Sequence, residues 1–220
     1  MYWPRYRRWI WWFFWLLLTL VRPLLCRLRV EGLDNLPKRG GAVVACNHTM
    51  GPDYVLLAYS SPRELMFMAK AEVFQWHWLV SAILRAGGVF PVQRGKNDQG
   101  AIETAVVLAR MGNLIAMFPE GTRSRTDQLM RGKTGAARIA LAAGVPVIPV
   151  AVANATAIVK RRTFWPPVVT VRFGPPVYWA RNGDEATTVR FYTDTVMTEI
   201  ARLLPPGQRG VYGEAVDEER

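Results

Sequence analysis

The sequence predicts an α/β fold, a largely parallel sheet flanked by helices, preceded by a membrane-associated helical segment. Three observations carry this reading. Short β-rich runs alternate with helical stretches from Glu31 onward, the chain opens on tryptophan and leucine bordered by arginine, and 50% of its 220 residues are hydrophobic. That apolar content supports a packed core and excludes a disordered chain. The expected organisation is an apolar, arginine-rich anchor over 1–29, an α/β domain over 30–208, and an acidic tail over 209–220.

The anchor is read from Trp9 to Val21, WIWWFFWLLLTLV, which holds most of the tryptophans of the first fifteen residues. At about 1.5 Å per residue it reaches roughly 20 Å, short of the ~30 Å hydrocarbon core, and Arg22 and Pro23 end it. A signal peptide would show the same arginines and apolar run, but no A-x-A-like cleavage site follows. Arg5, Arg7, Arg8, Arg22, Arg27 and Arg29 all precede the first acid, Glu31, and the formal net charge is +11. Indole-rich content with arginine flanks suits a segment seated in one leaflet, so a monotopic protein on the cytoplasmic face of the cell membrane is expected. A nucleic-acid partner fits poorly, because the basic residues cluster with tryptophan and leucine rather than along a polar groove.

Downstream, 42–46, 65–68, 89–92, 114–118, 147–152 and 168–173 read as strands. Across 98–111, Ile102, Ala105, Val106 and Ala109 share one helical face; across 184–204, Val189, Tyr192, Val196, Ile200 and Leu203 do the same. Asn182 and Glu185 have the spacing of a capping box for the second helix. Such alternation predicts parallel strands with helices on both faces. Cys26 and Cys46 are too few for a disulfide framework, and no Cys/His cluster has zinc spacing. No metal or cofactor is expected.

Ligands of open α/β sheets gather beyond the carboxyl ends of strands. Two such places concentrate polar groups: Asn47-His48-Thr49-Met50-Gly51-Pro52-Asp53 after AVVAC, and Pro119-Glu120-Gly121-Thr122-Arg123-Ser124-Arg125 after LIAMF. An imidazole titrates near neutrality and suits proton abstraction. A turn through Gly51-Pro52 would let Asp53 hold one ring nitrogen of His48 while the other faces a substrate. A histidine at a strand end beside a helix-starting aspartate is also an ordinary structural arrangement, and spacing alone leaves both readings open.

His48 and Asp53 as H-x4-D, together with Phe118 to Ser124 as FPEGTRS, resemble the hallmarks of the membrane glycerolipid acyltransferases. Gly88 to Arg94 (GVFPVQR) and Val145 to Val150 (VPVIPV) are similar to that family's intermediate and fourth motifs, in the same order. The resemblance covers roughly residues 30–180; Met50 stands where serine is frequent, and Gln93 where aspartate is. It implies His48 as general base and Asp53 as the carboxylate that orients it. It further implies acceptor binding by Arg94 and the Glu120-Gly121-Thr122-Arg123 loop, with Lys133 nearby adding positive charge. The implied reaction moves a fatty acyl group from acyl-CoA or acyl-carrier-protein to the sn-2 hydroxyl of lysophosphatidate, giving phosphatidate. Another acceptor, such as glycerol 3-phosphate, a lysophospholipid or a glycolipid, is the alternative, and a non-catalytic cationic lipid-binding protein is a more distant one. An alcohol attacking a thioester needs a base but no enzyme nucleophile, in keeping with the lack of a G-x-S-x-G segment.

Other signals carry less. Gly132-Lys133-Thr134 resembles the end of a P-loop, but Asp127 occupies the position of the required glycine. His77 lies between two tryptophans without a motif, and Lys160-Arg161-Arg162 before Phe164 and Trp165 reads as a solvated loop or a lipid-headgroup contact.

Overall fold

In the computed structural model, residues 8–92, 99–179 and 185–218 are described. Arg94 and the Asn182 cap lie outside them. Seven strands form one sheet: β1 (Arg27–Glu31), β2 (Ala42–Cys46), β3 (Leu65–Lys70), β4 (Phe90–Val92), β5 (Leu114–Met117), β6 (Val147–Ala153) and β7 (Val168–Phe173), in the order β1-β7-β6-β2-β5-β3-β4. Neighbours run parallel except β6 and β7, which are antiparallel. Strand β2 lies at the centre, paired to β5 on one side and β6 on the other.

The unbroken apolar run AVVAC follows from that position, since a central parallel strand is buried on both faces. Its side chains divide by alternation. Val43 and Ala45 join Ile115 and Val147 beneath α4 (Gln99–Arg110), α5 (Gly135–Ala143) and α7 (Glu185–Leu203), which contribute Ala105, Ile139 and Ile200. Val44 and Cys46 join Leu114, Ile148 and Val150 on the other face, against Leu56 and Leu57 of α2 (Asp53–Ser60). Each fully buried aliphatic side chain contributes about 1.5–3 kcal/mol, so the carboxyl ends of β2, β5 and β6 stand on the best-packed part of the molecule. Cys26 and Cys46 are both buried as free thiols.

Two boundaries differ from the sequence expectation. Arg27 and Arg29 are not anchor: with Leu28, Val30 and Glu31 they form the edge strand β1, paired residue by residue with Val168–Arg172. The R-L-R-V-E alternation leaves the arginines on the open side, and charge there discourages pairing with another chain. The apolar helix is therefore α1 (Arg8–Leu25), 18 residues long. Trp15 stacks on Tyr59 of α2 at 5.5 Å between centroids, and Thr19 Oγ1 meets the Tyr59 hydroxyl at 3.2 Å. Trp9, Trp12, Leu16, Leu20 and Leu24 stay exposed. No helix among the described residues is long and apolar enough to cross a membrane.

The acidic end is also not a loose tail. Leu129 and the 208–211 segment exchange backbone hydrogen bonds: Leu129 N–H donates to Gln208 at 2.9 Å and Val211 N–H to Leu129 at 3.3 Å. A last helix, α8 (Gly213–Glu218), brings Val216 into the core beside buried Tyr212, and Arg209 donates to Asp217 at 2.8 Å. Tyr212 and Val216 are the apolar anchors of this end, hidden in the sequence by their acidic neighbours.

Candidate active site

The site begins where β2 ends. Asn47 closes the strand by bonding to β6 on both sides of its amide: Nδ2 donates to the Val152 carbonyl at 3.1 Å and Oδ1 accepts the Val152 N–H at 2.7 Å. The following turn passes so close to Ala155 that a Cβ on Gly51 would stand 2.5 Å from its carbonyl carbon, which reserves the position for glycine. The tight turn returns the chain to the first residue of α2, Asp53, which is wholly buried.

The carboxylate of Asp53 organises this turn. Its Oδ2 accepts the Thr49 N–H at 2.6 Å and faces His48 Nδ1 at 3.0 Å, while Oδ1 accepts the Thr49 hydroxyl at 2.7 Å. With a proton on Nδ1, the second ring nitrogen, Nε2, is left with its lone pair. The imidazole is buried and stacks on Phe118 at 4.1 Å between centroids, 20° from coplanar, so its plane is fixed from the side as well as from below. Such a pair can take a proton from a hydroxyl and hold the resulting imidazolium against a carboxylate.

The second loop is fastened to the first through backbone. Ser124 N–H donates to the His48 carbonyl at 2.8 Å, and His48 N–H donates to Glu120 Oε1 at 2.6 Å. Glu120 Oε2 accepts the Met130 N–H at 2.9 Å. The sequence expectation gives Glu120 to the acceptor; in the structure its carboxylate is buried and each oxygen takes a backbone amide, which adds a structural role to that expectation. Glu120 is a strut that fixes His48 relative to the loop at 118–130. Burial pushes its pKa up from 4.5 to about 7, against the opposing effect of the His48 and Met130 amides and reinforced by nearby Asp53.

Gly121 has φ +72, a left-handed turn that a side chain would strain, and a Cβ there would stand 2.8 Å from Lys133 Nζ. The ammonium of Lys133 thus lies on the Glu120-Gly121 turn, held there by a Lys133 N–H bond to the Pro119 carbonyl at 2.8 Å. Thr122 and Arg123 are exposed on the same loop, one residue before the Ser124 anchor. The structure brings together His48, Asp53, Glu120, Gly121 and Lys133, with Arg123 on the rim. His77 stands apart from them as a helix cap, its Nδ1 accepting the Leu79 N–H at 3.2 Å at the start of α3 (Trp78–Ala86). Among the described residues no group of three His, Cys, Asp or Glu could hold a metal ion. Thr49 and Asn47 escaped sequence reading; a threonine four residues before an aspartate at a helix start was the available signal for the first.

The geometry can be set beside known proteins. A family model described as Acyltransferase matches residues 27–153, more than half of the chain. The chain belongs to the Acyltransferase family. It is 33% identical over 135 residues to the 1-acyl-sn-glycerol-3-phosphate acyltransferase of Bacillus subtilis, covering 61% of this chain and 66% of that one. Against the protein of the same name from Limnanthes douglasii it is 28% identical over 190 residues, covering 83% and 65%. The chain thus spans no more than about two thirds of these relatives' length. The crystal structure of the 1-acyl-sn-glycerophosphate acyltransferase PlsC from Thermotoga maritima matches with a TM-score of 0.66 at 22% identity, over 96% of this chain and 78% of that one, a likeness of fold. The match to the acyltransferase model ends at Ala153 and takes in both loops of the site.

The raised pKa of Glu120 gives the acyltransferase fold a pH signature. Between pH 4.5 and about 7 the folded form keeps a proton that the unfolded form has lost, so stability falls as pH rises through that window. The scale is on the order of 3 kcal/mol. Urea denaturation of wild type and Glu120→Gln in detergent at pH 5 to 8 should give a difference curve that declines toward pH 7 and is flat above it. Parallel curves would contradict the assignment.

Proposed function

We propose that the protein transfers a fatty acyl group from an acyl thioester, acyl-CoA or acyl-carrier-protein, to the sn-2 hydroxyl of lysophosphatidate. The observation that carries this reading is the buried His48–Asp53 pair at 3.0 Å, locked through Glu120 to a loop bearing Arg123 and beside Lys133. His48 Nε2 takes the proton of the acceptor hydroxyl as its oxygen attacks the thioester carbonyl. Asp53 holds Nδ1–H and stabilises the imidazolium, and the proton then passes to the departing thiolate. Charge builds on the carbonyl oxygen during attack, and Lys133 beside the Glu120-Gly121 turn is a source of compensation. The names of the relatives, all 1-acyl-sn-glycerol-3-phosphate acyltransferases, support the acceptor.

Lysophosphatidate brings a phosphate and one acyl chain. Arg123, exposed on the loop, can take the phosphate in a bidentate manner, with Lys133 as a second point charge. Arg94, which lies outside the described residues, is proposed for the same headgroup from its motif. The exposed aromatic and leucine side chains of α1 seat the enzyme in the leaflet that holds the acyl chain.

Arg123→Ala is expected to raise KM for lysophosphatidate roughly 10- to 100-fold, the worth of a hydrogen-bonded charge pair, with a much smaller rise for a neutral monoacylglycerol. Initial rates over both acceptors in detergent measure it. Equal effects on the two acceptors would remove phosphate binding from the role of Arg123.

A further inference from the structure

A cleft of about 410 Å³ opens beyond the end of β6, lined by Asp127, Asn154, Thr156, Lys160, Arg162 and Trp165 among others. Because β6 and β2 are parallel neighbours, the cleft lies at the catalytic end of the sheet, one strand away from His48. Nothing in the acyl-transfer site uses it.

Its charge is unbalanced. Lys160, Arg161 and Arg162 follow one another, and the acid among the lining residues is Asp127, whose Oδ1 takes the Thr156 hydroxyl and whose Oδ2 lies 3.5 Å from Lys160 Nζ. Arg161 is spent on architecture: it donates to the Leu24 carbonyl at 2.7 Å, to the Thr163 carbonyl at 2.7 Å, and to the Phe164 carbonyl. The first of these bonds ties the loop to the carboxyl end of α1. Arg162 is exposed and pairs with nothing among the described residues. Beside the cations, Phe164 is 87% and Trp165 70% exposed, with the Arg27 guanidinium 5.9 Å from the Trp165 ring.

An inorganic anion would account for the cations but not for two aromatic rings held in solvent, and an apolar protein surface would account for the rings but not for the cations. The boundary of an anionic leaflet accounts for both, since aromatic rings settle at headgroup depth and basic residues are drawn to the phosphates there. The Arg161–Leu24 bond makes this surface continuous with the exposed leucines of α1. We infer that the cleft docks the phosphate headgroup of an anionic phospholipid, with Phe164 and Trp165 entering the same leaflet as α1. The inference rests on the membrane seating proposed above, not on the identity of the acceptor.

The test uses the full chain and sedimentation with phosphatidylcholine vesicles, with and without phosphatidylglycerol. Lys160→Ala/Arg162→Ala, which leaves Arg161 in place, should bind the phosphatidylglycerol vesicles roughly 30-fold more weakly at low salt. It should bind neutral vesicles as wild type does and acylate a short-chain acceptor in detergent at the wild-type rate. Lys160→Arg/Arg162→Lys should keep the anionic preference. Hydrogen exchange at 160–165 should slow on phosphatidylglycerol vesicles and not in inorganic phosphate. Unchanged affinity of the double alanine variant for anionic vesicles would overturn the inference. So would a raised KM for the acyl donor with vesicle binding intact, which would give the cleft to the donor's phosphates, or equal protection by inorganic phosphate. Wild type that binds neither vesicle would instead remove the membrane seating itself, and charge-dependent binding by a protein without transferase activity would remove the proposed reaction alone.

Discussion

Asp53→Ala is expected to cost both activity and fold, and Asp53→Asn activity alone. The carboxylate is fully buried and satisfies the Thr49 N–H, the Thr49 hydroxyl and His48 Nδ1. Alanine leaves those donors without an acceptor, in a place water does not reach. A loss of about 3–5 kcal/mol follows by analogy with breaking buried charged pairs. Asparagine differs in a way the geometry defines. Both N–H donors converge on Oδ2, so the amide oxygen can occupy that position and the NH₂ can face Thr49 Oγ1, whose own proton turns away. The tautomer of His48 and most of the stability are then kept, while the negative charge opposite the imidazolium is lost. Turnover by Asp53→Asn should fall on the order of 10²-fold or more, with a urea midpoint close to wild type. An Asn variant as active as wild type would show that the carboxylate serves the turn and not the chemistry.

Much of the fold was legible because burial on both faces writes itself into composition. The central strands β2, β5 and β6 are runs of small and branched apolar residues. β1 was hidden by the opposite property. As a charged edge strand it has one guarded side, and its arginines sit next to an apolar helix whose flanks were expected to be basic. The packed end at 209–218 was hidden because Tyr212 and Val216 bury themselves among acids that remain outside.

The candidate site was partly legible for a different reason. His48 and Asp53 are close in sequence, and a short turn has few ways to fold, so their meeting could be anticipated. Glu120 could not be assigned in the same way. A carboxylate in a loop of cations suggests a ligand contact, whereas its partners here are the amides of His48 and Met130, 72 and 10 residues away. Backbone donors leave no trace in side-chain chemistry. The role of Arg161 was obscured likewise, since its partners are carbonyls of Leu24, Thr163 and Phe164. The same loop read as solvated charge contains one arginine that builds structure and one, Arg162, that faces outward.

The central claim is that His48 removes the proton of the acceptor hydroxyl during direct transfer from the thioester. Its ring is held on one side by Asp53 at 3.0 Å and on one face by Phe118 at 4.1 Å, and Ser124 and Glu120 clamp its backbone. Replacing the imidazole with a methyl group removes the base and leaves those backbone bonds in place, so the loops should keep their positions. The most direct measurement is the rate of phosphatidate formation from a long-chain acyl thioester and lysophosphatidate in detergent, for purified wild type and His48→Ala, with circular dichroism as the check on folding. The account predicts product from wild type and a drop of roughly 10²- to 10⁴-fold in kcat for a folded His48→Ala protein, with KM for lysophosphatidate little changed. A folded variant that forms phosphatidate at close to the wild-type rate would contradict it.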